Sequence, residues 1–443
     1  MRDSFGRQVD YLRLSVTQRC DLRCAYCRPA RDCESPRELC DLEELTELAA
    51  ACVELGVKKI RLTGGEPLVR PDLVELVGRL RALPGLEELC LTTNGQRLAE
   101  LAAPLRAAGL DRLNISLDSL RPARYRALTG GELERTLAGI EAAEAAGFTG
   151  LRLNTVLLRG VNEDELAELA GLARTHPWSV RFIELMPIGP GAAMPEAFLP
   201  AARVLEAVPE LREAGQAGRP ARGDGSQPSA PWGEAAGAAL ARSGEHCSPW
   251  ADEATGNRQQ ATGQGTGNRE SGIVGTGPSA PLRCAQDDEY GALSARRDGS
   301  QPSAPWGEAA GAALARSGEH CSPWADEATG NRQQATGQGT GDREPGNGDG
   351  VARLYTGPGW AGTVGLIAPM SRAFCVACSR VRITADGRLK PCLHSPEEFP
   401  LRGLRGAALR EAILAAVGQK PARHRLHELG RSGSLRTMEE IGG

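Results

Sequence analysis

The feature that most constrains the fold of this chain is an alternation of short apolar runs with helical patterns in its first half. The segment LEELTELAAACVELG, from Leu42, has the apolar spacing of an amphipathic helix and ends at a glycine. Successive β-α steps of this kind predict parallel strands joined by right-handed crossovers, in either a partly closed β/α barrel or an open doubly wound sheet. The predicted strands are YLRLSVT from Tyr11, KKIRLTG from Lys58, EELCLTT from Glu87, RLNISLD from Arg112, LRLNTVLL from Leu151 and VRFIELM from Val180.

Polar residues that directly follow three of these strands favour the barrel. They are TGGEP at Thr63–Pro67, TTNG at Thr92–Gly95 and SLD at Ser116–Asp118. The carboxyl-terminal strand ends of a β/α barrel form the rim on which active sites are built, whereas a doubly wound sheet offers a single crevice. We therefore expect an α/β fold, a partial (β/α)6 TIM-like barrel, with a functional site at that rim.

The stretch from 216 to 350 limits the part of the chain that can fold. Only six of its residues are Leu, Ile, Val, Phe or Met, and a segment that begins DGSQPSAPWGEAAGAALARSG at Asp224 recurs from Asp298. Such a composition buries too little apolar surface to offset the entropy of ordering the chain. We predict a disordered insert at 216–350 between a barrel at 1–215 and a C-terminal domain at 351–443. The two copies of the duplicated segment occupy 224–270 and 298–344.

The composition argues against several functional classes. A net charge of −4 is unlike the basic surface of most nucleic-acid-binding proteins. No apolar run reaches the roughly 18 residues of a membrane span, and the N-terminus MRDSFGRQVD is too polar for a secretion signal. Thirteen cysteines in such a chain favour metal binding or buried thiols over disulfides. We expect a soluble cytoplasmic protein that binds no nucleic acid and no membrane.

The segment CDLRCAYC places Cys20, Cys24 and Cys27 close together in sequence. Three thiolates can hold three irons of a 4Fe-4S cubane and leave the fourth iron open to a chelating substrate. A zinc site is the alternative, but it needs four ligands, and the nearest candidates for a fourth are Cys33 and Cys40. The spacing favours a cluster with one open iron.

A second cysteine group lies near the C-terminus, in the segment FCVACSRVRITADGRLKPC. Its cysteines are Cys375, Cys378 and Cys392. The spacing leaves two interpretations open, a structural zinc ribbon with His394 as the fourth ligand or a second cluster. Arg380 and Arg382 within the loop favour a site that binds a phosphorylated ligand, because guanidinium groups pair in bidentate fashion with phosphate oxygens.

The first cysteine group, with Tyr26 before its third cysteine and GGEP after the second strand, resembles the radical S-adenosylmethionine (SAM) superfamily. The two groups in this order resemble the GTP 3′,8-cyclase family of molybdenum cofactor biosynthesis. The likeness covers residues 5 to about 208 and about 351 to 443. Its motifs are RLSVTQRC at Arg13–Cys20, KKIRLTGGEPL at Lys58–Leu68, LTTNG at Leu91–Gly95, RFIELM at Arg181–Met186, the C-terminal cysteine loop and the final IGG.

The resemblance implies an enzyme, a radical SAM lyase with two 4Fe-4S clusters. The first cluster would reductively cleave SAM to methionine and a 5′-deoxyadenosyl radical. That radical would take hydrogen from C3′ of GTP, and the sugar radical would attack C8 of guanine. The product would be (8S)-3′,8-cyclo-7,8-dihydroguanosine 5′-triphosphate, in the first step of molybdopterin biosynthesis, while the second cluster would anchor the guanine base.

The resemblance also implies partners. A flavodoxin- or ferredoxin-like protein would donate the electron, and the product would pass to a cyclic pyranopterin monophosphate synthase. A homodimer is compatible with the family.

The resemblance assigns roles to individual residues by motif. Besides the two cysteine groups as cluster ligands, the residues expected to contact SAM are Tyr26, Gly65, Ser116 and Met186. Those expected to contact GTP are Arg13, Arg61, Thr92, Arg152, Arg380, Val381 and Arg382. Lys59 and Arg181 would extend the basic pocket, and the terminal Gly442 and Gly443 would reach into the site. Arg152 stands where the family usually has lysine, which keeps the charge but changes the geometry of phosphate contacts.

Two other functions fit parts of this pattern. A peptide-modifying radical SAM enzyme would share the first cluster and have an auxiliary cluster with the same number of cysteines. A zinc-binding interaction module would instead use the insert as an arm that docks partners. Protection by GTP of Arg380 and Arg382 from chemical modification would distinguish the cyclase from the peptide-modifying enzyme. Iron content would distinguish the cyclase from the zinc-binding module.

Overall fold

One sheet runs through the described part of the chain. The computed structural model describes residues 1–28, 39–214 and 351–442. The strands in these ranges are β1 (Tyr11–Ser15), β2 (Lys59–Thr63), β3 (Glu88–Thr93), β4 (Arg112–Ser116), β5 (Arg152–Leu157), β6 (Ser179–Glu184), β7 (Arg212–Glu213), β8 (Arg353–Thr356), β9 (Thr363–Ile367), β10 (Arg380–Ile383), β11 (Arg388–Lys390) and β12 (Phe399–Pro400). The predicted insert at 216–350, with both copies of its duplicated segment, lies outside the described residues, as do Cys33 and Gly443.

The first six strands lie side by side in the order in which they occur along the chain, and neighbouring strands are parallel. All six predicted strands are confirmed, with ends that differ by a few residues from the apolar runs. A doubly wound sheet reverses its strand order at a switch point. The order here does not reverse, so the fold is a mixed α/β fold with a largely parallel sheet in the arrangement of a partial barrel.

The C-terminal segment extends this sheet at both edges. Strand β10 pairs in parallel with β1, and β9 pairs in parallel with β6. Strands β11 and β12 continue antiparallel beyond β10, while β8 and β7 continue antiparallel beyond β9. Residues 1–215 and 351–443 are predicted from the sequence to be two domains. In the structure, the described residues of both contribute strands to the same sheet.

The helices follow the expected crossover positions. They are α1 (Leu42–Glu54), α2 (Leu73–Arg81), α3 (Leu98–Ala107), α4 (Pro122–Thr129), α5 (Leu133–Ala145), α6 (Leu166–Thr175), α7 (Arg203–Ala207), α8 (Gly406–Gly418), α9 (Leu426–Leu429) and α10 (Met438–Ile441). Helix α1 begins at a capping box, since the Asp41 carboxylate accepts from the Glu44 N–H at 2.8 Å and Glu44 accepts from the Asp41 N–H at 3.0 Å. Its Leu45 and Cys52 are fully buried in the core. Among the described residues, no helix combines the length and apolar character needed to cross a bilayer.

A close backbone approach fixes the turn before β9. A Cβ added at Gly362 would lie 2.2 Å from the Trp178 carbonyl oxygen and 2.5 Å from that of His176. The Gly362 N–H also donates to the Ala173 carbonyl oxygen at 2.8 Å. The turn that aligns β9 beside β6 therefore has no room for a side chain.

We expect Gly362→Ala to lower the free energy of unfolding by about 1–3 kcal/mol, because the added methyl group must displace two backbone carbonyls. Gly171→Ala is the matched control, since it lies within α6 and its added Cβ would meet nothing within 4 Å. The control should raise the free energy of unfolding by up to about 1 kcal/mol, through helix propensity. Urea midpoints of the two variants measure both effects, and equal midpoints would contradict the steric argument.

Candidate active site

The carboxyl-terminal ends of the parallel strands line a cavity of about 290 Å³. Residues of the C-terminal segment complete its wall. The predicted site residues that line it are Arg13, Cys20, Cys24, Tyr26, Cys27, Arg61, Gly65, Thr92, Ser116, Arg181, Met186, Arg380 and Arg382. The described site residues outside its lining are Lys59, Arg152, Val381, Cys375, Cys378, Cys392 and Gly442. The rim thus brings together the first cysteine group and most of the residues expected to contact SAM and GTP.

The cluster loop, residues 20–27, is held at this rim by contacts with two neighbouring segments. The Arg23 N–H donates to the Thr129 carbonyl oxygen at 2.8 Å, at the end of α4. The Tyr26 hydroxyl donates to Asp118 Oδ2 at 2.6 Å. Asp118 follows β4 in the SLD motif, so the polar residue after one strand fixes the loop that follows another.

The three cysteines of the cluster loop are half-buried, and their thiols lie close enough for their charges to interact. Burial raises the pKa of Cys20 to about 12, and burial followed by the charge of Cys20 raises that of Cys27 to about 12. Burial and then the charge of Cys27 raise the pKa of Cys24 well above its usual value. Three thiolates in such surroundings need a bound cation to offset their burial and mutual repulsion, so the donor set fits an iron-sulfur cluster.

Within the described ranges, no three His, Cys, Asp or Glu side chains converge closely enough to hold a single metal ion. Three thiolates that each bind a different iron of a cubane do not have to converge on one point.

The GGEP turn packs directly against the chain that leads into the cluster loop. A Cβ at Gly64, where φ is +148°, would lie 2.3 Å from the Thr17 carbonyl oxygen, and one at Gly65 would lie 2.3 Å from that of Arg19. The Glu66 N–H donates to the same Arg19 oxygen at 2.8 Å. These glycines therefore have a structural reason within the protein, in addition to the close approach of a ligand that the sequence predicts.

Three arginines lie abreast on consecutive strands. In the parallel register, Arg13 of β1 pairs with Arg61 of β2 on one side and with Arg382 of β10 on the other. Arg61 is 2% exposed and Arg382 is 6% exposed. Burial, followed by the charge of Arg382, lowers the pKa of Arg13 well below its usual value, and burial followed by Arg380 lowers that of Arg382 to about 10. A row of mutually repelling cations, two of them buried and the third half-buried, is suited to a polyanionic ligand.

Tyr11 is a site residue that the sequence analysis missed. Its ring lies 5.1 Å from Lys59 Nζ and 5.4 Å from the Arg380 guanidinium carbon, and its hydroxyl accepts from Arg61 Nε. Its strand neighbours in the register are Lys59 and Arg380, which are distant from it in sequence. The apolar run YLRLSVT gave no signal for this role, because the role depends on which strands pair.

The carboxylates of the cavity wall are engaged by donors of the protein. Glu66 accepts from Thr93 Oγ1 at 2.8 Å and from the Asn94 N–H at 2.7 Å, and burial raises its pKa to about 7. Burial raises the pKa of Asp118, the partner of Tyr26, to about 6. Glu184, at the end of β6, is 1% exposed and accepts from the backbone and hydroxyl of the C-terminal segment. These hydrogen bonds hold the three carboxyl groups in place in the cavity wall.

The second cysteine group lies outside the cavity lining, and its Cys375 and Cys378 shortly precede β10, the strand that carries Arg380 and Arg382. Burial opposes ionisation of Cys378, but it is outweighed by Lys420, whose Nζ lies 3.5 Å from the sulfur, together with the backbone N–H and the charge of Arg380, so the pKa of Cys378 is lowered. His394, the fourth ligand of the zinc interpretation, lies 3.3 Å from Ser432 Oγ and packs edge-on against His424. Burial and then the charge of His424 lower its pKa to about 3.

The C-terminus enters the site region. Arg382 donates to the Gly442 carbonyl oxygen. Gly442 has a φ of +80°, and a Cβ there would lie 2.3 Å from Thr63 Oγ1. Gly442 therefore occupies a narrow position at the carboxyl-terminal ends of β1 and β2, where a side chain would clash.

Comparison with known families defines the class to which this site belongs. Residues 14–173 match the Radical SAM superfamily, and residues 327–426 match the family described as Molybdenum Cofactor Synthesis C. The first match contains the cluster loop and the ends of β1 to β5. The chain is a radical SAM protein.

Full-length relatives narrow this class further. GTP 3′,8-cyclase of Moorella thermoacetica is 34% identical over 451 residues, which cover 100% of this chain and 100% of that protein. GTP 3′,8-cyclase 1 of Pseudomonas aeruginosa is 35% identical over 449 residues, which cover 100% of this chain and 98% of that protein. The chain belongs to the GTP 3′,8-cyclase family.

Solved structures resemble the chain over a smaller part. Streptococcus suis SuiB bound to the precursor peptide SuiA matches with a TM-score of 0.39 and 20% sequence identity, over 46% of each chain.

We expect Cys24→Ala to remove the iron held by the cluster loop, about four irons per chain, because the remaining two thiolates cannot hold a cubane. Cys52→Ala is the matched control, since Cys52 is fully buried in the core and lies outside the cavity lining. The control should leave the iron content unchanged and lower only stability. Iron and sulfide analysis of anaerobically reconstituted protein measures both, and full iron content in Cys24→Ala would exclude this thiol as a ligand.

Proposed function

We propose that this chain is a radical SAM GTP 3′,8-cyclase, the enzyme that converts GTP to (8S)-3′,8-cyclo-7,8-dihydroguanosine 5′-triphosphate in molybdenum cofactor biosynthesis. The observation that carries the proposal is one cavity lined both by the three-cysteine loop and by the row formed by Arg382, Arg13 and Arg61. A loop that fits an iron-sulfur cluster and a pocket that fits a triphosphate thus face the same space.

The SAM side of the site is built on the cluster loop and the neighbouring rim. In this proposal Cys20, Cys24 and Cys27 hold a 4Fe-4S cluster, and SAM contacts four residues of the cavity wall. Those residues are Tyr26, Gly65, Ser116 and Met186. When bound, the cluster and SAM supply a 5′-deoxyadenosyl radical that takes the C3′ hydrogen of GTP. The hydrogen bond from Tyr26 to Asp118 keeps the loop in position at the rim.

The GTP side of the site is built on β10, β1, β2 and β3. Arg13, Arg61, Arg380 and Arg382 bind the triphosphate in this proposal, and Thr92, on β3, lies 3.5 Å from an Arg61 nitrogen and adds a hydroxyl contact. In this proposal the four arginines, each buried or half-buried, replace part of the water that otherwise screens phosphate charge. Arg152 begins β5, and Val381 lies between two arginines of β10. Neither residue lines the cavity, and in this proposal each contacts GTP from a position next to the lining residues.

The second cysteine group supports a separate role in this proposal. Cys375, Cys378 and Cys392 hold a second 4Fe-4S cluster that anchors the guanine base, since the strand after Cys378 carries Arg380 and Arg382. A flavodoxin- or ferredoxin-like protein donates the electron, cyclic pyranopterin monophosphate synthase receives the product, and a homodimer is the proposed assembly. These partner assignments rest on membership of the family.

Anaerobic incubation of the reduced, cluster-loaded protein with SAM and GTP tests the proposed function. Mass analysis should find 5′-deoxyadenosine together with a cyclised nucleotide of unchanged mass relative to GTP. Cleaved SAM without a new nucleotide would retain the superfamily and reject GTP as the substrate. A nucleotide product that forms without SAM would reject the radical reaction.

We expect Arg13→Met to change GTP binding and stability in opposite directions. GTP affinity should fall by about 2 kcal/mol, roughly thirtyfold, because a charged hydrogen-bonding partner is lost. The ligand-free protein should gain about 1 kcal/mol of stability, because folding partly desolvates the Arg13 cation, as its lowered pKa indicates.

Arg112→Met is the matched control. Arg112 lies on β4 of the same sheet and forms a partly exposed ion pair with Glu88 at 3.2 Å. The Arg112→Met variant should leave GTP affinity unchanged and change the free energy of unfolding by less than about 1 kcal/mol. Equilibrium binding of GTP and urea midpoints measure the two effects, and equal GTP affinity in both variants would remove Arg13 from the binding site.

A further inference from the structure

The last residues of the chain form a strap, residues 436–442, that touches both sides of the proposed active site. On the cluster side, Glu439 lies 3.3 Å from Arg28 Nε, and its backbone N–H donates to the Cys27 sulfur. On the opposite side, the Gly442 carbonyl oxygen accepts from Arg382. The strap therefore links a cysteine of the first group to an arginine of the row.

The strap has little regular structure of its own. Its helix α10 is a single turn of four residues, which begins at a capping box formed by Thr437 and Glu440. One helical turn is not stable by itself in water, because nucleation costs more than a single turn returns. The strap thus depends on contacts with the rest of the protein to hold its position.

Arg436, the first residue of the strap, supplies the strongest of these contacts. Its guanidinium forms two bidentate pairs, with Asp386 at 2.9 and 2.9 Å and with Glu398 at 2.6 and 2.6 Å. The Arg436 side chain is 3% exposed. Buried bidentate pairs of this kind fix a side chain in both distance and angle.

The two carboxylates belong to the C-terminal part of the sheet. Asp386 lies in the turn between β10 and β11, and Glu398 immediately precedes β12. Lys390 and Arg388 also face them, at 3.2 Å from Glu398 and 3.6 Å from Asp386. The carboxylates therefore keep a cationic neighbour if Arg436 is replaced, and the strap is the element that loses its attachment.

We propose that Arg436 is a positioning residue: its double carboxylate pair fixes the strap so that Glu439 stays on the cluster loop and Gly442 stays against Arg382. This inference rests on the proposed function, since it assigns the strap to the site where SAM and GTP would meet. Ile441 also anchors the strap, because it is fully buried in the core. Loss of Arg436 should therefore loosen the strap without releasing it entirely.

The test compares Arg436→Met with Arg124→Met in full-length, cluster-loaded protein. Arg124 is the matched control, since it also pairs with two carboxylates, Asp164 and Glu165, but lies on α4 and has no contact with the strap among its hydrogen bonds and ion pairs. Hydrogen exchange of the amides of 437–442, without SAM or GTP, reports the position of the strap directly. The ratio of 5′-deoxyadenosine to cyclised nucleotide reports coupling in turnover.

In Arg436→Met we expect roughly tenfold faster exchange at 437–442 and a fall in cyclisation of about tenfold to a hundredfold. The ratio of 5′-deoxyadenosine to cyclised nucleotide should rise, and iron content should stay at the wild-type value. In Arg124→Met, exchange at 437–442 and the ratio should stay unchanged. If Arg436→Met does not fold, Arg436→Lys, which keeps one charge but lacks the fork, should show the same changes to a smaller extent.

Unchanged exchange at 437–442 in Arg436→Met, or in Arg436→Lys where that variant is used, would overturn the proposal. Equal changes in Arg124→Met would also overturn it, because they would reduce the role of Arg436 to general stability. Failure of the proposed function looks different, since wild-type protein would then make no cyclised nucleotide while the difference in exchange between the variants persisted.

Discussion

The parallel pairing of β10 with β1 and of β1 with β2 is the constraint on which the site depends. It sets Arg382, Arg13 and Arg61 abreast and brings the second cysteine group to the edge of the barrel that carries the first. A one-residue slip of any of these strands would point its arginine to the other face of the sheet and break the row. The neighbouring strands hold this register through buried apolar residues, so the core of the barrel fixes the spacing of the cations.

The sequence predicts the six parallel strands of the barrel, but it does not predict the strands that the C-terminal segment adds at both edges. The six strands β1 to β6 appear as local apolar runs, and short crossovers place each beside the last. The pairing of β10 with β1 joins residues that are far apart along the chain, and a local pattern carries no information about it. The roles of Tyr11 and Arg436 were missed for the same reason, because their partners come from distant segments. Cysteine spacing predicts the two cysteine groups, whereas family motifs supply the predicted roles of Arg13, Arg61 and Arg152.

The site favours function at a cost in the stability of the empty protein. The arginines are disfavoured in their charged forms, as the lowered pKa of Arg13 indicates, whereas raised pKa values keep the thiols of the cluster loop neutral in the empty protein. The thiols and the arginines lie on different parts of one cavity wall, and the wall carboxyl groups accept hydrogen bonds from donors of the protein. An iron-sulfur cluster would bind the thiols as thiolates, and an anionic triphosphate would offset the charge of the arginines. Binding and stability are therefore linked, and each ligand stabilises the fold that receives it.

The position of the predicted insert explains how the fold can accept it. The described chain stops at residue 214 and resumes at 351, and the strands on either side, β7 and β8, are antiparallel partners, with Arg212 opposite Thr356 and Glu213 opposite Tyr355. The two ends of the intervening segment are therefore adjacent at the outer edge of the sheet. A connection between adjacent ends adds little closure entropy with length, about 0.6 kcal/mol for each doubling. Because β7 and β8 already fix those ends, the length of the segment between them places no demand on the register of β9 beside β6 or on the arginine row at the opposite end of the sheet.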